Sequence, residues 1–284
     1  MLIVGDLGFG VIDDFKNEFP DNFINSGIAE QNMLGMAAGM AYSGYKVFIY
    51  SIANFPTFRA FEQIRNELSY HKLDVTIISV GSGLSYGVAG YSHFAVEDLS
   101  IMRSLPNFRI YSPASEIELG LSFYDSLDYC GPKYIRIGKS KELEFHNSPN
   151  NLTLSNGYLV LHEGPDGLII FLGTIADEVL KVYEKLLNSN LQFTIISVCR
   201  VSPLDMSDID FRNFEVIVTV EEHSAIGGLR TIIIEELFAE KYQGKFLSFN
   251  TNIQSYLDVG DQTFLREKCG LDAKHIFNVI MSSF

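Results

Sequence analysis

Residues Val75–Val80 form a continuous, largely apolar run. It is short enough for a strand, and it offers no polar face to turn toward water. A strand of that kind must be covered on both sides, which is the condition of a parallel sheet held between helices. The neighbouring sequence supplies the cover. Arg59–His71 carries Phe61, Ile64 and Leu68 at helical spacing, and Gln31–Ser43 is a helical stretch rich in Ala, Met and Gly. Met1–Gly5, Phe23–Asn25, Lys46–Ile52 and Tyr134–Ile137 read as further strands, and Glu97–Leu105 and Glu116–Leu127 as further helices. Strands that alternate with helices imply an α/β fold with a parallel-type sheet.

The stretch from Lys139 to Asn156 is polar, contains Pro149 and two adjacent asparagines, and has no clear period. It reads as a linker. A second α/β pattern follows: strands at Leu168–Leu172, Phe193–Val198, Val216–Val220 and Phe246–Phe249, helices at Ile175–Ser189 and Gly227–Lys241, and a helical tail. The expected division is a first domain over residues 1–140, a linker over 141–156 and a second domain over 157–284.

Charge narrows the partners. With 21 Lys and Arg against 35 Asp and Glu the formal charge is −14, which repels nucleic acid and anionic membrane surfaces. A local basic pocket for a small anion stays compatible with that field. Cys130, Cys199 and Cys269 form no CxxC pair and do not cluster with histidine. No zinc site or disulfide framework is expected, and a reducing cytoplasm is the default. The N-terminal MLIVGDLGFG lacks the basic and apolar regions of a signal peptide, and no apolar run is long enough to span a membrane.

Three segments could carry chemistry. In the first, Phe23–Asn32, a strand runs into a helix and places Glu30 in the first helical turn. Alone, Glu30 is most simply a capping glutamate, with Gly27 at the cap and Glu30 at the third helical position. The functional alternative is a semi-buried carboxylate sharing a proton with a ring nitrogen. In the second, Tyr50–Arg59, Phe55 and Phe58 follow a strand, where open α/β sheets place their ligands; alone, both are more simply core aromatics. In the third, Gly81–His93, glycine is dense after a buried strand, as where a backbone turns tightly or approaches a ligand. It has no P-loop lysine and fails the GxGxxG spacing. His93 is suited to acid–base work.

Together these segments resemble the pyrimidine-binding domain of transketolase and of its relative 1-deoxyxylulose-5-phosphate synthase. Gly27-Ile28-Ala29-Glu30-Gln31-Asn32 is similar to the family's helix start, Asp6-Leu7-Gly8 to its first turn, and Glu62-Gln63-Ile64-Arg65-Asn66 to the helix after its aromatic platform. Ser92-His93 resembles its Thr-His pair, Glu97–Arg103 its following helix, and Glu221-Glu222-His223 with Gly227-Gly228 its C-terminal domain. The resemblance implies thiamine diphosphate as cofactor, with Mg2+ held by a partner. Glu30 then bonds the aminopyrimidine ring nitrogen, favouring the tautomer that takes the thiazolium proton. Phe55 stacks on that ring and Phe58 lines the same pocket. His93 faces the substrate's oxygens. Arg136 and Lys139 stand near the family's phosphate clamp, where Lys139 would offer a point charge instead of a fork.

No Gly-Asp-Gly occurs, the nearest string being Val259-Gly260-Asp261-Gln262. The resemblance therefore implies a split enzyme, with a separate diphosphate-binding subunit and a two-plus-two heterotetramer. Transketolases commonly carry an aspartate four residues before the histidine; here that residue is Ala89. The expected activity is transfer of a two-carbon ketol unit between sugars. Ala89, Lys139 and Gly10 direct it away from standard sugar phosphates, toward a modified or nucleotide-linked sugar as in surface polysaccharide biosynthesis. The alternatives are a 1-deoxyxylulose-5-phosphate synthase-like subunit, a 2-oxo acid dehydrogenase β-like subunit, whose helix start differs, and a non-catalytic regulatory subunit.

Overall fold

The computed structural model describes residues 1–140, 143–146, 148, 152–252 and 256–284. Pro149, the adjacent asparagines and the other linker positions 141, 142 and 147 lie outside the described residues. The first half supplies β1 (Leu2–Val4), α1 (Asp13–Glu18), β2 (Phe23–Asn25), α2 (Glu30–Tyr42), β3 (Val47–Ile52), α3 (Asn54–Arg59), α4 (Phe61–Gln63), β4 (Val75–Val80), α5 (Asp98–Arg103), β5 (Arg109–Tyr111), α6 (Glu116–Leu127) and β6 (Lys133–Ile137). The second supplies β7 (Tyr158–Pro165), β8 (Gly167–Leu172), α7 (Ala176–Asn188), β9 (Phe193–Val198), β10 (Arg200–Ser202), β11 (Val216–Ser224), α8 (Leu229–Ala239), β12 (Lys245–Thr251), α9 (Gln262–Cys269) and α10 (Ala273–Met281).

Two parallel-dominated sheets result, in the orders β10-β5-β6-β4-β3-β1-β2 and β12-β11-β8-β9-β7. Two pairings are antiparallel, β10 with β5 and β7 with β9. β10 belongs by sequence to the second half, so it stitches the second half onto the edge of the first sheet. The central strands behave as their composition demands. Val75, Ile77, Leu168, Ile169, Ile170 and Phe171 are wholly buried, each contributing roughly 1.5–3 kcal/mol by leaving water. One core cluster runs through both halves, joining Ile49, Ile77 and Met102 to Ile170, Ile196 and Leu229.

The linker stretch is docked along its described parts. Leu154 is buried, Phe145 packs on the second core, and Glu144 accepts a hydrogen bond from Ile117 N–H at 2.9 Å. The expected helix over Arg59–His71 is broken. α3 ends at Ala60 (φ −126°, ψ 28°), and beyond α4 the coil widens to a π-turn over Ile64–Ser69. Among the described residues no helix is long and apolar enough to cross a membrane, and no cluster of His, Cys, Asp and Glu is arranged to hold a metal.

Candidate active site

In the first sheet the chain goes from β1 outward to β2, then back across β1 to β3. The connections leave β1 and β3 on opposite sides, and such a switch point opens a crevice at the strands' carboxyl ends. The first turn is fixed there by a reciprocal pair: Asp6 N–H donates to Asn25 Oδ1 at 3.1 Å, and Asn25 Nδ2 donates to Asp6 Oδ1 at 3.0 Å. Gly8 takes φ +87°, and a side chain there would meet the Tyr50 ring at 3.0 Å.

Glu30 enters from the β2–α2 turn. Gly27 is not the helix cap expected of it. It adopts φ +71°, its N–H held by Asn25 Oδ1 at 3.0 Å, and Ala29 occupies the cap position with no side-chain hydrogen bond. α2 therefore begins at Glu30 itself, later than a capping box would have it. Glu30 is 6% exposed, near the positive end of the helix dipole, and its Oε1 accepts from Arg59 Nη1 at 2.7 Å. The Arg59 guanidinium also lies over the Phe55 ring, 3.9 Å from its centroid. Arg59 and Phe55 are four residues apart on α3 and so share one face.

The chain of contacts continues. The Phe55 ring meets His93 edge-on at 5.2 Å between centroids, and Tyr86 lies 6.2 Å from His93. Lys139, exposed past the end of β6, holds its ammonium 4.8 Å from the Tyr86 ring centroid. Asn54 Nδ2 donates to the Ser92 carbonyl, tying α3 to the turn that carries His93. His93 Nδ1 stands 3.0 Å from Ser92 Oγ, so the ring is held at that nitrogen. Burial pushes the Tyr86 and Tyr50 phenols up from their ordinary range, so both stay neutral. Phe58 is 48% exposed on α3. Glu30, Phe55, His93 and Lys139 thus lie along one rim, and the residues that connect them, Arg59, Asn54 and Tyr86, were missed by sequence reasoning.

Arg136 requires a correction. It is 1% exposed, its Nη2 donates to the carbonyls of Ala95 at 2.5 Å and Glu222 at 2.8 Å, and its Nε lies 3.2 Å from Asp98. The guanidinium is enclosed by these partners and lies buried, unlike the exposed Lys139. The glycine-dense segment also serves another purpose than a ligand's approach. A side chain at Gly83 would meet Glu222 at 2.3 Å, and Leu84 N–H donates to Glu222 Oε2 at 3.0 Å. The backbone turns tightly there to admit a carboxylate from the second half.

Glu222 anchors a dry seam. It accepts from Thr174 Oγ1 at 3.2 Å, from Gln262 Nε2 at 2.9 Å and from Arg266, which also reaches Asp177 at 2.8 Å. Glu221 accepts from the N–H groups of Leu229 and Arg230 at 2.8 and 2.9 Å at the start of α8, and burial raises its carboxyl to about 7. Burial lowers His223 to about 4, with Asp98 opposing at 3.9 Å.

An aromatic ring and a nearly buried carboxylate thus meet at the switch point of an α/β sheet. Comparison with known proteins then gives the chain's kinship. Residues 4–142 match the family described as transketolase, pyrimidine binding domain, and residues 157–276 that described as transketolase, C-terminal domain. A putative transketolase C-terminal section from Methanocaldococcus jannaschii is 34% identical over 94% of this chain and 84% of its own length. One of the subunits of an apulose-4-phosphate transketolase from Actinobacillus succinogenes is 28% identical over 95% and 88%. A 6-deoxy-6-sulfo-D-fructose transketolase subunit from a Clostridium species is 30% identical over 92% and 81%. A solved structure described as a split gene transketolase, inactive beta4 tetramer, superposes with a TM-score of 0.86 at 33% identity, covering 100% of this chain and 91% of that one. The chain belongs to the transketolase family. It also matches 1-deoxy-D-xylulose-5-phosphate synthase from Syntrophotalea carbinolica at 30% identity, over 93% of this chain but 42% of that protein.

Proposed function

We propose that this chain is the pyrimidine-binding subunit of a two-chain, thiamine diphosphate-dependent ketol transferase. The observation that carries the reading is the slot between Phe55 and Glu30, which already accommodates one planar, nitrogen-rich group, the Arg59 guanidinium. The donor set suits an aminopyrimidine: an aromatic face to stack on and a half-sealed carboxylate to accept a proton-bearing nitrogen. When bound, thiamine diphosphate supplies the carbon centre that cleaves and forms the ketose carbon–carbon bond. Glu30 holds the proton at the pyrimidine ring nitrogen. Phe55 fixes the ring plane and Phe58 screens the mouth from water. His93 Nε2 moves a proton at a substrate hydroxyl. Lys139 offers a point charge to an anionic substrate tail.

The relatives named as subunits and as a C-terminal section support a separate partner chain that binds the diphosphate and Mg2+. Two of those relatives are named for ketoses carrying a phosphate or a sulfonate. Ala89 is exposed on the turn before His93 and offers no carboxylate to a hydroxyl. A ketose with an anionic tail and an altered hydroxyl pattern is therefore the favoured donor class, and xylulose 5-phosphate a poor one. The test is to combine the chain with a partner that contains Gly-Asp-Gly, add thiamine diphosphate and Mg2+, and follow transfer from a panel of phosphorylated, sulfonated and nucleotide-linked ketoses. Assembly without transfer from any of them would remove the catalytic reading and leave a regulatory subunit. Full efficiency with xylulose 5-phosphate would remove the weight placed on Ala89.

A further inference from the structure

We propose that Arg59 is a built-in stand-in for the aminopyrimidine ring, closing the slot in the free subunit until the cofactor displaces it. The inference rests on the reading of Glu30 and Phe55 as the pyrimidine site. One side chain makes both contacts that site would offer a ring: its guanidinium lies 3.9 Å from the Phe55 centroid, and its Nη1 lies 2.7 Å from Glu30 Oε1. A guanidinium is planar, delocalised and rich in N–H donors, so it stacks and hydrogen-bonds as an aminopyrimidine does.

The backbone sets this up. Arg59 ends α3, Ala60 leaves the helical conformation, and Phe55 sits one turn back on the same face. Arg59 is 47% exposed along its side chain, while Glu30 is 7% exposed. The closed state thus keeps a nearly buried carboxylate paired while holding it by contacts that water and salt weaken. A ligand with a larger stacking surface can open it. Apparent affinity for the ring is then lowered by the fraction of molecules already open.

The full-length chain is titrated with 4-amino-5-hydroxymethyl-2-methylpyrimidine, the ring without its diphosphate, and followed by ligand-observed NMR. Arg59→Ala is expected to bind at least about fivefold more tightly than wild type, Arg59→Gln similarly, and Arg59→Lys in between because it keeps the charge without the plane. In wild type the Arg59 Nε proton is expected upfield under the Phe55 ring current, returning to its ordinary position in Phe55→Leu and on saturation with the ring. An ordinary Arg59 shift in wild type overturns the proposal, as does a ring that binds Arg59→Ala and Arg59→Gln no more tightly than wild type or not at all. The cofactor reading fails separately. Adding Glu30→Gln or Phe55→Leu to Arg59→Ala should weaken binding about tenfold or more; undiminished binding by both double variants puts the ring elsewhere.

Discussion

The two halves share one plan and use it in opposite ways. Each places a carboxylate where a strand gives way to a helix. In the first half Glu30 starts α2 facing a crevice, and its ion-pair partner among the described residues is the half-exposed Arg59. In the second half Glu221 meets the start of α8 and Glu222 the start of α9, both buried, satisfied by backbone N–H groups, one hydroxyl, two side-chain amides and Arg266. The difference is sealing, not residue type. A carboxylate at such a junction becomes available for chemistry when its surroundings leave one face open. When every lone pair is taken by the protein, it becomes an anchor. Here Glu222 holds the glycine turn that precedes His93.

The contrast breaks most visibly at the anchor. Arg266→Ala leaves Glu222, 2% exposed, without its buried cation, and the loss of one partner of a buried pair costs about 3–5 kcal/mol. Urea denaturation should show that drop. A loss under about 1 kcal/mol would mean water enters the seam and the second half is as open as the first. Glu30→Gln in the assembled enzyme should do the reverse. Turnover is expected to fall at least about 10²-fold, equal to about 2.7 kcal/mol of barrier, with the melting temperature unchanged. Proton–deuterium exchange at the thiazolium carbon isolates the step and should slow. Unchanged exchange with a lower melting temperature would make Glu30 a structural residue like Glu222.

What could be read from the sequence divides along the same line. The alternation of elements was visible because each strand buried on both faces is apolar along its length, as in Val75–Val80. β5, β7 and β10 were not: β5 and β10 span three residues each, too few to show a period, and β7 mixes polarities as Tyr-Leu-Val-Leu-His-Glu-Gly-Pro. Glu30, Phe55 and His93 stand out through local motifs, each following a strand. Arg59, Asn54 and Tyr86 matter only through neighbours distant in sequence, and no local period marks them. Arg136 misled for the same reason. Its place near Lys139 in sequence suggests the phosphate clamp, and says nothing of Asp98 and the Glu222 carbonyl that enclose it. The glycines before His93 correctly signalled close approach, but the approaching group lies on the other half.

Acidity separates the halves further. Burial raises Glu221 to about 7 from an ordinary 4.5, so between those values the folded chain keeps a proton that the unfolded chain has released. Its contribution to stability is complete below about 4.5 and is lost as pH rises toward 7. His223 runs the other way. Lowered to about 4 from 6.5, it leaves the folded chain short of a proton that the unfolded chain binds, so its contribution is lost as pH falls from 6.5 toward 4. The two slopes oppose each other in the overlap. Glu221→Gln removes the falling one, so the variant's stability relative to wild type should rise between pH 5 and 7, by at most about 1.4 kcal/mol per pH unit for one proton. Parallel wild-type and variant curves would show that Glu221 is solvated enough to behave as an open-half carboxylate.

The smallest effect tests capping itself, the role that Glu30 does not perform for α2. Asp261 is an exposed carboxylate in the second half, and its Oδ1 accepts from Phe264 N–H at 2.9 Å, capping α9. Removing such a cap costs about 1 kcal/mol, and in a chain this long that lowers the melting temperature by about 2–4 °C. Asp261→Ala should show that loss and Asp261→Asn should recover most of it, because an asparagine oxygen caps as well. Turnover of the assembled enzyme should stay at wild-type level in both, the mirror image of Glu30→Gln. The position of the cap makes the size of the loss informative. Gln262 follows it directly and donates to Glu222, so a frayed start of α9 would loosen the seam as well as the helix. A loss near 1 kcal/mol means the cap and the anchor act independently. A loss above about 2 kcal/mol means they are coupled, and that sealing in the second half begins at the surface rather than at the buried pair.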